Sequence, residues 1–115
     1  MKLFTDKNLK EPIQDTFTFG IVPVGETVEK TIWLKNEAVE PKKATGSLVE
    51  MEITVVALDP TNDTVITDER IVIKEAPEAM KEFEIKPIRL EWTPAVDLEQ
   101  GLKAKLTIRA KKIVG

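Results

Sequence analysis

The chain has 115 residues, 42% of them hydrophobic and 32% charged, and a net charge of −3. That is the balance of one folded domain; it excludes a disordered segment and a general polyanion binder. Cysteine and histidine are both absent, which removes disulfide scaffolds, thiolate metal sites, the commonest general base and the commonest zinc ligand.

Residues 1–14, "MKLFTDKNLKEPIQ", show no clean period. They are expected to form an N-terminal arm or an edge segment, with residues 15–115 forming the domain proper. Their apolar residues, Leu3, Phe4, Leu9 and Ile13, are too few to fold alone. The start has no apolar run of signal-peptide or membrane-spanning length. The chain therefore reads as a complete intracellular product or a cleanly cut domain, cytoplasmic or carried on a virion, with no membrane partner.

"TFTFG" alternates with Phe17 and Phe19 on one face, and "IVPVGET" interrupts it. Proline cannot donate to a sheet ladder and glycine admits positive φ, so Pro23 and Gly25 mark a corner between two strands. "TVEKTIWLKN" resumes the alternation: Val28, Ile32 and Leu34 on the inner face, with Lys30 as the exception, and Glu29, Thr31, Trp33 and Lys35 outward. "EAVEPKKATGS" reads as a charged loop. "LVEMEITVVALD" places Met51, Ile53, Val55 and Ala57 inward. "PTND" is turn chemistry. "TVITDERIVIKE" gives one bent strand or two short ones, and "APEAMKEF" holds one helical turn at most. In "FEIKPIRLEW" the phase slips between Phe83 and Ile85 and the set Ile88, Leu90 and Trp92, which predicts a bulge or a change of sheet at Lys86-Pro87. "LKAKLTIRAKKIV" closes the chain with Ala104, Leu106, Ile108 and Ala110 inward. About seven such runs, separated by turns, predict an all-β, immunoglobulin-like antiparallel β-sandwich.

The two ends of the chain resemble a known family. "FGIVPVGETVEKTIWLKN" is similar to the opening of immunoglobulin-like domains of the major-sperm-protein, ASH and hydin type. "IRLEWTP" followed by "GLKAKLTIRA" resembles the end of such domains. Phe19, Gly20, Gly25, Leu34, Asn36, Trp92, Pro94, Gly101, Leu106 and Ile108 carry the match. These are turn and core positions covering less than half the chain. The resemblance implies protein–protein scaffolding without catalysis.

The chemistry-bearing candidates are weak. Ser47 is the sole serine and follows Gly46 in a loop, with no histidine to activate it. Asp59, Asn62, Asp63, Asp68 and Glu69 could offer oxygens to calcium, but their spacing is not that of an EF-hand and suits a polar turn better. No cofactor is expected. Lys103, Lys105, Arg109, Lys111 and Lys112 place five positive charges within ten residues, the first four on one strand face. With aromatics at 5% and no tyrosine, a base-stacking platform is disfavoured, and with it nucleic acid. The stripe suits pairing with acids such as Glu50 and Glu52, a lysine-guarded edge, or docking on an acidic protein. Trp33 points away from the buried face, as interface tryptophans do, unless the N-terminal arm covers it.

The expected role is therefore structural and non-enzymatic. The form expected first is a bacteriophage virion component, such as a capsid decoration or tail protein. It would bind a larger lattice, with the major capsid protein as partner, in repeated copies, through Leu3, Phe4, Leu9, Trp33, Lys103, Lys105, Arg109 and Lys111. The alternative is an intracellular binding module of a cytoskeletal or scaffold type.

Overall fold

A computed structural model describes residues 1–37 and 46–113; most of the charged loop expected after Asn36 lies outside them. The described chain forms eight strands: β1 (Lys2–Phe4), β2 (Pro12–Ile13), β3 (Thr16–Gly20), β4 (Val28–Lys35), β5 (Ser47–Leu58), β6 (Ile71–Glu75), β7 (Ile85–Trp92) and β8 (Leu102–Ile113). They make two antiparallel sheets, ordered β2-β1-β4-β7-β6 and β3-β8-β5. The fold is an all-β sandwich, and the described residues include no helix.

The inner faces follow the two-residue period. Phe17, Phe19, Ile32, Leu34, Met51, Ala57, Ile88, Leu90, Trp92, Ala104 and Leu106 are all buried in one core. Phe19 packs its ring against Phe17 and Trp92, with centroids 5.4 and 5.6 Å apart. Lys30, the exception in the inner row of β4, reaches across the sandwich rim. Its Nζ donates to the Thr18 carbonyl at 3.0 Å and lies 5.9 Å from the centre of the Phe17 ring. The stem is thus covered while the charge stays wet.

The Pro23–Gly25 corner carries the chain from one sheet to the other, from β3 to β4. Gly25 has φ +84°, and its N–H donates to the Pro94 carbonyl at 3.1 Å. At the far end of β4, buried Asn36 donates through Nδ2 to the carbonyls of Gly46 (2.7 Å) and Lys81 (2.9 Å). The β4–β5 crossover and the β6–β7 connection are thereby tied to one side chain.

One expectation is corrected. The phase slip at Lys86-Pro87 is neither a bulge nor a change of sheet: β7 pairs with β4 without interruption from Ile85↔Lys35 to Trp92↔Val28. Phe83 and Ile85 are simply exposed. Pro87 is tolerated because the β6 ladder ends opposite Arg89, so its missing donor deprives no neighbour. Residues 1–14, expected as an arm or an edge segment, form the edge of the larger sheet. β1 pairs with β4 through Leu3↔Leu34 and Phe4↔Trp33, and β2 pairs with β1. The segment "APEAMKEF" holds no helical turn; its Met80 bridges to Leu48 of β5.

β5 and β8, at twelve residues each, are the longest strands. They set the elongated shape, 49 × 26 × 23 Å.

Candidate functional site

The open end of the sandwich follows from unequal strand lengths. β8 is paired with β5 from Lys103↔Leu58 to Ile113↔Ser47. On its other side β3 covers only Leu102 to Lys105. The last bond there runs from the Leu106 N–H to the Asp15 carbonyl, 2.8 Å. Further back along the chain, Ile13 and Pro12 already belong to the other sheet. Residues 107–113 of β8 therefore have β5 on one side and, among the described residues, no strand on the other. In an antiparallel ladder successive residues point their backbone groups to alternate sides. Because Leu106 points toward β3, Ile108, Ala110 and Lys112 direct their N–H and C=O groups to the open side.

Beside this edge lies a cleft of about 400 Å³ between the two sheets. Met1, Leu3, Leu48, Leu106, Ile108 and Ala110 form its apolar wall, with Lys112 at the mouth. The sequence placed Ala104, Leu106, Ile108 and Ala110 equally inward. Ala104 and Leu106 are buried, but Ile108 is half-buried and Ala110 exposed. The inner face of β8 outruns what covers it. Met1 lines the same cleft, and its amino group is partly buried. Burial, and then the neighbouring Lys2 charge, push its pKa below the ordinary value, against the opposing pull of Glu37.

Lys103, Lys105, Arg109 and Lys111 lie on the outer face of the smaller sheet, and most are answered there. Lys103 reaches Asp63 at 2.7 Å, Lys111 reaches Glu50 at 2.9 Å, and Lys105 lies 3.9 Å from Asp15. Arg109 stands opposite Glu52 in register, yet among the described residues it makes no ion pair. Lys112 makes none either.

Of the apolar site residues taken from the N-terminus, Leu3 and Phe4 are corrected. Leu3 is buried in the chain's own core and Phe4 is buried on the opposite face, in register with Trp33. Neither side chain is available to a partner. Leu9 sits at φ +58° in a turn whose N–H groups at Lys10 and Glu11 are held by the Asp6 carboxylate, each at 2.8 Å. Trp33 does face outward, but it is half-buried between Phe4 and Pro87. A three-residue strand with both Leu3 and Phe4 buried shows no alternation, so the sequence held no signal for β1.

The acidic stretch weighed as calcium ligands, and read as a polar turn, is engaged internally. Asp59 accepts from the Thr61 N–H at 2.8 Å, and Asp63 holds Lys103. Glu69 is buried and accepts from Trp92 Nε1 and from the N–H groups of Ala95 and Val96. Among the described residues no three acidic side chains converge as metal ligands. Ser47 opens β5 opposite Ile113. Comparison of the chain with protein-family profiles, with curated proteins and with solved structures gave no match.

Proposed function

We propose that the chain is a non-enzymatic assembly domain that seats a protein partner at the open end of its sandwich, as one repeated part of a larger lattice. The observation that supports this is the cleft beside β8: an apolar wall rimmed by Gln14, Asp15 and Lys112, with Arg109 on the outer face of the same strand. An apolar centre with a charged rim is the anatomy of a protein–protein interface. The resemblance of the chain's ends to scaffolding domains agrees with it. A virion surface, with a capsid protein as partner, is the setting this reading takes first.

Purification of the native assembly tests it. Co-purification with intact particles at fixed copy number supports the virion setting. Recovery with a cytoskeletal fraction instead favours the scaffold setting. Ala110→Trp, which fills the cleft, is expected to release the chain from either assembly without unfolding it. Wild-type chain recovered only as a free monomer overturns the reading.

A further inference from the structure

We infer that the free edge of β8 accepts an added strand, supplied by an extended segment of another protein whose alternate side chains are apolar and acidic. This rests on the assembly reading above and gives that partner its chemistry.

The backbone makes the first demand. Ile108, Ala110 and Lys112 turn their N–H and C=O groups to the side that β3 does not cover. A strand laid along this edge would pair with all of them and continue the three-stranded sheet past the end of β3. The pleat makes the second. A strand in that place directs every other side chain into the sandwich, beside Leu106, Ile108 and Ala110, where the cleft has room for aliphatic groups. Its remaining side chains stand on the outer face next to Thr107, Arg109 and Lys111.

Charge chooses among occupants. Arg109 has no ion-pair partner among the described residues, and Lys112 at the mouth of the cleft has none. Acidic side chains on the outer face of the added strand would meet Arg109 directly. A second copy pairing β8 against β8 would instead bring two rows containing Arg109 and Lys111 together, which like charge disfavours.

Three other edges of the sandwich are guarded in ways this one is not. β2 is two residues long and carries Pro12. The β6 ladder is broken by a register shift between Ile73 and Glu75. The far edge of β5 is partly covered, by Glu78 and Met80 at one end and by Val65 and Ile66 at the other. Proline, bulges and covering segments all deter strand addition. β8 carries only its positive charges, which repel a basic strand and attract an acidic one.

The test uses the full chain, isotopically labelled, and a short capped peptide alternating glutamate with valine. Amide hydrogen exchange is followed residue by residue. The peptide is expected to slow exchange at Ile108, Ala110 and Lys112 by about tenfold or more at saturation, as backbone pairing does. A peptide of the same alternation with lysine for glutamate should give no protection, and Arg109→Gln should weaken glutamate-peptide binding by roughly tenfold at low salt. Lys111→Gln is the second variant, read the same way if the first loses stability. No protection at peptide saturation overturns the inference, as does equal protection by the lysine peptide, which would leave the charges no part in selection. Protection that rises with protein concentration alone also overturns it, by naming a second copy as the occupant. If the chain co-purifies with a native particle while the peptide fails, strand addition falls and the assembly role stands. If the peptide protects the edge of a chain that is monomeric at its source, the lattice falls and the edge stands.

Discussion

The indole Nε1 of Trp92 donates to the Glu69 carboxylate at 2.8 Å, with both side chains buried. The same carboxylate accepts from the N–H groups of Ala95 and Val96 at 3.1 and 3.2 Å. One acid thus holds the largest core side chain and the loop that follows β7. Glu69→Ala leaves these donors without their partner and is expected to cost about 1–3 kcal/mol in denaturant unfolding. Glu69→Gln keeps an acceptor and should lose less than half as much. A neutral Glu69→Ala would show that the loop is held by other contacts.

Leu34 and Ile108 occupy equivalent inward positions in the alternation of their strands, but one is fully buried and the other half-buried. Leu34→Ala should therefore destabilise by about 2–5 kcal/mol. Ile108→Ala should cost about 1 kcal/mol or less, because water already reaches the site. Chemical denaturation of the two variants side by side checks the ratio. Equal losses would mean that the cleft is closed in solution.

Gly101 sits at φ +78°, and a Cβ there would lie 2.5 Å from the Gly20 carbonyl oxygen. The hairpin-like approach of the β3 end to the β8 start needs both the left-handed backbone and the missing side chain. Gly101→Ala is expected to destabilise by about 2 kcal/mol or more, since strain and a backbone clash add. An unchanged unfolding midpoint would contradict this.

Glu37 hydrogen-bonds to Lys35 and lies 3.6 Å from Lys2; the Lys35 contact, first, and the Lys2 charge hold its carboxyl below the ordinary glutamate range. A depressed folded-state value means that the contribution is present above the unfolded value and is lost as pH falls through the folded one. Side-chain NMR titration should show Glu37 ionising below free glutamate in the wild type. In Lys35→Ala the midpoint should rise. No movement would assign the depression to Lys2 alone.

The long runs were legible from the residues because each buries one face. Phe17 with Phe19, Ile32 with Leu34, and Leu90 with Trp92 alternate with polar neighbours, and the sheets bury them as the period demands. β1 was not legible because Leu3 and Phe4 are buried on opposite faces within three residues. β7 was misread because exposed Phe83 and Ile85 imitate a core phase, with Phe83 at φ +60° outside the strand. The positive stripe of β8 was visible, but its acidic partners were only half foreseen. Glu50 does meet Lys111, whereas Asp15 and Asp63 come from distant turns. The open edge could not be read from the chain at all. It depends on where β3 stops pairing, which local pattern does not encode.

Between Val49↔Lys111 and Glu52↔Arg109, β5 advances three residues while β8 advances two. Exposed Glu50, at φ +51°, absorbs the extra residue. Leu48 consequently faces the cleft while Val49 takes the outer register position opposite Lys111. This gives the strand one place where its length is adjustable. A chain one residue shorter at Glu50 would form a plain ladder with Leu48 and Met51 still turned inward. The same deletion at Thr54 would throw half of β5 onto the wrong face. Variation in length among natural versions of this sandwich should therefore gather at Glu50 and avoid residues 52–58.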